Sequence, residues 1–178
     1  MLYTCVNAYY FRNLNKIGGI ESHLYYVAKK YKDIDITVFY RSADSDQLNR
    51  LKKYARCVKI TDKDRVKCEK LFCCFNREIL DQCDAKETYL VLHGDYKDMV
   101  ERGQLAISNL PIDSRVDHYI GVSQLVCDSW EELTGIKAEN VYEPVVLEKV
   151  EKPLMFVSAT RLTAEKGWDR MIVLAKAL

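Results

Sequence analysis

Short apolar runs alternate with segments of helical period along most of this 178-residue chain. That alternation restricts the fold more than any other feature. Strands are predicted at 2–8, 35–41, 57–60, 70–76, 88–93, 116–123 and 140–146. Helices are predicted at 19–31, 45–55, 77–82 and 124–134. In the first helix Ile20, Leu24, Val27 and Ala28 share a face, and Lys29, Lys30 and Lys32 sit at the C-terminal end, where the helix dipole favours cations. Runs that read as continuously apolar, such as Thr88 to Leu92, belong to strands covered on both faces. With helices between them, the pattern predicts α/β architecture: a Rossmann-like parallel sheet with helices on both sides.

The charged stretch 147–153, ending in Pro153, reads as a linker. Residues 1–146 therefore form one domain, and 154–178 begin a second, truncated one. Within that second part, the apolar run Leu154 to Val157 reads as a strand. A polar turn with Arg161, Glu165, Lys166 and Gly167 follows, and Trp168 to Leu178 has helical period. A strand, a loop carrying two cations and a helix place positive charge where open α/β sheets bind ligands. The anion that suits such a place is a phosphate.

Charge and composition exclude several classes. A net charge of +1 with no long basic stripe speaks against nucleic-acid binding. No apolar run reaches the ~20 residues of a membrane span, and the first residues lack a basic leader before a hydrophobic core. Seven cysteines, odd in number and scattered (Cys5, Cys57, Cys68, Cys73, Cys74, Cys83, Cys127), match neither a disulfide framework nor zinc-finger spacing. They read as core thiols of a cytoplasmic protein, with no metal site.

Three constellations bear on ligand binding. Gly18 and Gly19 close the first loop and open the first helix, where backbone amides approach an anion closely. They do not complete the dinucleotide fingerprint G-x-G-x-x-G, which disfavours a dehydrogenase. His93-Gly94-Asp95 follows a central strand, at the end where such sheets collect functional side chains. Ser123 reads as an N-cap, His23 and His118 as structural residues, and 62–67 as a solvated loop.

Taken in order, Gly18-Gly19-Ile20-Glu21, His93, the segment 119–136, Val141 to Pro144 and Arg161 to Gly167 resemble the GT-B glycosyltransferases of glycosyltransferase family four. These are bacterial enzymes of cell-surface polysaccharide synthesis. The resemblance implies a retaining hexosyl- or deoxyhexosyltransferase using a nucleotide sugar as substrate, without cofactor or metal. Arg161 and Lys166 would hold the donor diphosphate, with Gly18 and Gly19 across the cleft. His93 would serve catalysis through the sugar. Glu21, Asp95, Tyr10 and Asn15 would meet sugar or acceptor, a saccharide or lipid-linked saccharide, with peripheral contact at the inner membrane surface. The chain departs from the family at Ala159-Thr160, where a glycine usually precedes Arg-Leu. The family's paired glutamates would lie beyond Leu178, so the chain alone is expected to be nearly inert. Two other readings stay open: a flavodoxin-like or receiver-like binding module, and another GT-B enzyme such as an epimerase. A receiver would carry acidic residues after its first strand, where this chain has Asn7 to Asn13.

Overall fold

A computed structural model describes residues 1–15 and 18–142. The chain divides after Val146, and the first unit, Met1–Val146, is the one described here. The expected strand and helix at 154–178, with Arg161 and Lys166, lie outside the described residues.

Seven strands form one parallel sheet: β1 (Leu2–Leu14), β2 (Ile36–Ala43), β3 (Arg56–Lys59), β4 (Arg65–Cys73), β5 (Cys83–Leu92), β6 (His118–Gly121) and β7 (Glu139–Asn140). Their order across the sheet is β3-β2-β1-β4-β5-β6-β7, with every pairing parallel. Four α-helices accompany them: α1 (Gly19–Lys30), α2 (Ser45–Leu51), α3 (Tyr96–Glu101) and α4 (Gln124–Thr134). The α/β, Rossmann-like architecture is therefore present.

Two apolar clusters cover opposite faces of the sheet. Phe39, Leu90 and Leu92 point toward Tyr96 and Trp130, whereas their chain neighbours Val38 and Val91 join Leu24, Val27 and Leu51. Burial of consecutive residues on opposite faces is what a parallel sheet packed on both sides requires. Trp130 is fully buried, edge-on to Tyr96 and stacked on Tyr119. Ser123 caps α4 by accepting from the Val126 amide at 3.3 Å, as expected. Gly135 ends the helix at φ +72°, in the left-handed region.

Several boundaries differ from expectation. The segment 9–15, expected as loop, is strand as far as Leu14, because Tyr10 and Phe11 are buried on opposite faces. The expected solvated loop 62–67 supplies the start of β4. There Val66 and Cys68 point inward, and Arg65, Lys67 and Glu69 point outward. The central strands thus alternate in their first halves and become apolar on both faces only in their second halves. Both Glu69 and Lys70 are exposed, so the inward face of β4 slips by one residue before Leu71. The same slip occurs between Cys5 and Ala8 in β1. α2 is shorter than expected, and the short helix α3 had no counterpart in the expectation.

On the α1 side, Tyr9, Phe72, Tyr89 and His118 are successive register partners. Their rings stack in a row with centroids 4.7, 4.8 and 4.6 Å apart. An apolar groove of about 250 Å³ runs between this row and α1, lined by His23, Val27, Val91 and Ile120 among others.

Candidate functional site

The strand order reverses between β1 and β4, since chain connections run outward from β1 on one side and from β4 on the other. At such a switch point the loops diverge and leave a crevice at the carboxyl ends of the strands. Asn15, Gly18 and Gly19 follow β1, Cys74 and Phe75 follow β4, and His93 to Asp95 follow β5.

The centre of this region is a contact among three side chains. Cys74 Sγ lies 3.5 Å from His93 Nε2. The His93 ring meets the His23 ring edge-on, with centroids 5.1 Å apart. Burial, followed by the charge of His23, pushes the His93 pKa down to about 4. Burial also lowers that of His23 and raises that of the Cys74 thiol. At neutral pH the trio is an uncharged imidazole pair beside an uncharged thiol, suited to hydrogen bonding with a polar ligand rather than to pairing with a charge.

α1 presents its N-terminus to the same region, with Gly18 as N-cap in extended backbone. Glu21, three residues on, folds back over it. A Cβ at Gly18 would meet Glu21 Oε2 at 2.0 Å, whereas one at Gly19 would meet nothing within 4 Å. The carboxyl group therefore lies against Gly18 at the helix N-terminus, where a ligand anion would approach. An incoming phosphate must displace Glu21 or approach from the open side at Gly19. The buried side chain of Gln47 on α2 donates to the Glu21 carbonyl at 3.1 Å and fixes this first turn.

The remaining candidates separate. Asn15 is exposed just past β1. Tyr10 is 1% exposed and faces the α3–α4 side of the sheet, away from α1. Its hydroxyl donates to Glu78 Oε1 at 3.0 Å. The phenol pKa is pushed up to about 12, chiefly by burial. Tyr10 is thus a core residue that supports Glu78 rather than a residue of the crevice.

Asp95 is the N-cap of α3. It accepts from the Asp98 amide at 3.0 Å and from the Ser129 hydroxyl on α4. The first of these, then the second, holds its carboxyl below the usual range. Such a carboxylate ties two helices together. Replacing Asp95 with alanine should lower folding stability by about 1 kcal/mol, the usual cost of losing an N-cap. Chemical denaturation measures this, and unchanged stability would contradict the structural role.

His23 is the residue that sequence reasoning assigned to structure alone. Its signal was available: it follows Gly19 by four residues, one helical turn, on the side of α1 that faces the sheet. His118 stacks on Tyr89 within the aromatic row, away from the crevice. Among the described residues no three His, Cys, Asp or Glu side chains converge as metal ligands do, and no helix is long and apolar enough to cross a membrane. Comparison with protein-family models, with curated proteins and with solved structures gave no match.

Proposed function

We propose that this chain contributes the acceptor-side half of a glycosyltransferase. In this reading the enzyme transfers a sugar from a nucleotide-sugar donor to a saccharide or lipid-linked saccharide, with retention of configuration. The observation that carries the proposal is the meeting of His23, His93 and the α1 N-terminus at the switch point of a doubly wound sheet. A neutral His93 suits a hydroxyl of the transferred sugar. The amides at Gly18 and Gly19 suit its phosphate, once Glu21 turns aside. By the family resemblance Arg161 and Lys166 would hold the donor diphosphate, and the chemistry belongs to bacterial cell-surface polysaccharide synthesis at the cytoplasmic membrane face.

The test is amide chemical-shift mapping on isotope-labelled protein titrated with inorganic pyrophosphate, then with uridine and guanosine diphospho-sugars. Shifts should centre on Gly18, Gly19 and His93, with affinity no tighter than millimolar. Shifts confined to other regions would overturn the assignment. Micromolar affinity would mean that residues outside the proposed half-site supply a complete donor pocket, and the half-site reading would fail.

A further inference from the structure

The loop after β4 carries a second feature that the reading above does not use. Phe75 follows Cys74 directly, so it sits one residue from the contact with His93, yet its side chain is 43% exposed. Its ring is open to solvent at the carboxyl end of a central strand, where such sheets bind ligands. Phe75 forms one wall of an open crevice of about 380 Å³, whose other walls include Asn76, Arg77, Glu78, Asp113 and Arg115.

Most of the polar walls are paired with one another or with the backbone. Arg115 grips both oxygens of Asp113, with Nε and Nη2 each at 2.9 Å, and reaches Asp81 with Nη1 at 2.7 Å. That pairing, above all, holds the Asp113 carboxyl down at about 2. Arg77 donates to the Ile112 carbonyl at 2.5 Å, and Glu78 accepts from Tyr10 at 3.0 Å. Held in this way, the planar side chains lose little conformational freedom when a ligand arrives.

Charge decides the ligand class. The crevice lining holds two arginines against three carboxylates, Glu78, Asp81 and Asp113, and Arg12 pairs with Glu78 at 3.7 Å, so the charges balance and phosphate finds no excess positive charge. An apolar peptide would strand the polar groups. A neutral polyhydroxylated molecule meets both needs. Its vicinal hydroxyls pair with planar donors and acceptors, and its C–H face covers an aromatic ring.

The geometry points to a saccharide subsite between Phe75 and the Asn76, Arg77, Asp113 and Arg115 side chains. As an acceptor subsite it rests on the glycosyltransferase reading; as a saccharide subsite it stands on these residues alone. Tyr10 then acts from beneath, by holding Glu78 in the wall.

The experiment is a titration of isotope-labelled protein with methyl α-glucoside, methyl α-mannoside, methyl β-galactoside and methyl α-rhamnoside, followed by amide shifts. At least one glycoside should move the amides of Phe75, Asn76 and Asp113. Phe75→Ala should weaken that binding about tenfold while leaving the rest of the spectrum in place, and Phe75→Trp should retain it. No shift with any of the four glycosides would overturn the inference. So would shifts unchanged in Phe75→Ala, or pyrophosphate moving these same amides. Because pyrophosphate reports on Gly18, Gly19 and His93, loss of one response without the other tells which of the two readings has failed.

Discussion

Acidification from about pH 7 to about pH 4 should remove about 3 kcal/mol of folding stability through His93 alone. Its imidazole titrates at about 4 in the folded chain, against the ordinary histidine value of 6.5. The folded state therefore holds the neutral ring, and the unfolded chain binds a proton first. Stability is complete above about pH 6.5 and is lost as pH falls through the folded value. His23, lowered by burial, adds to the loss in the same direction. Asp64 and Asp113, held at about 2 by their hydrogen-bond partners, surrender their share only at lower pH. Urea unfolding across this window measures the effect. His93→Gln should remove the His93 part of the slope while folding normally at neutral pH. A stability that is flat across the window, or an undiminished slope in His93→Gln, would mean that the ring is not buried against His23 and Cys74.

The sheet was legible because its strands are apolar where they are buried on both faces. Leu90, Val91 and Leu92 leave no other reading. The first half of β1 was predicted as strand, whereas its second half, 9–14, and the start of β4 were not. Lys67 and Glu69 in β4 lie exposed, so the alternation there imitates an antiparallel strand or a loop, and in β1 the exposed Arg12 and Asn13 give 9–14 the polarity of a loop. The slip of inward face at Glu69 and Lys70 breaks the two-residue period just where a periodicity argument would need it. Short elements escaped for a different reason. α3 spans six residues; its Asp95 cap is local, but the bond that fixes this carboxylate comes from Ser129, 34 positions away, and no local pattern records it.

The candidate site divides along the same line. His93 could be found from its place after an apolar strand, and Gly18-Gly19 from the loop-to-helix transition. Glu21 could be tied to that transition, but not its carboxyl group lying over Gly18. That placement depends on how the first turn of α1 is held, including the bond from Gln47 26 residues away. Tyr10 shows the reverse error. Aromatic residues after a first strand suggested contact with sugar, but the strand continued and carried the ring into the core. What brought His23 into the site was burial of Leu24 and Val27 of α1 in one cluster with Val91, a tertiary relation that spacing within the helix only hints at.

Arg161→Ala and Lys166→Ala should each lower kcat/KM for nucleotide-sugar turnover by about a hundredfold, or about 3 kcal/mol. Departure of a nucleoside diphosphate builds negative charge on its phosphate oxygens. A cation positioned beforehand stabilises that charge more in the transition state than in the bound donor. The loss should therefore fall mainly on kcat rather than on KM. His93→Ala should cost less, since a neutral hydrogen bond to a sugar hydroxyl is weaker than a charged contact to phosphate. The measurement is steady-state kinetics in the shortest version of the polypeptide that transfers sugar. Pyrophosphate-induced shifts at Gly18 and Gly19 serve as a second readout on the 178-residue chain. The ordering matters more than any single value. If both cation variants keep full activity while His93→Ala loses it, the phosphate is held by residues other than Arg161 and Lys166. If all three keep activity, the convergence of His23, His93 and the α1 N-terminus is a packing arrangement, and sugar transfer takes place at other residues.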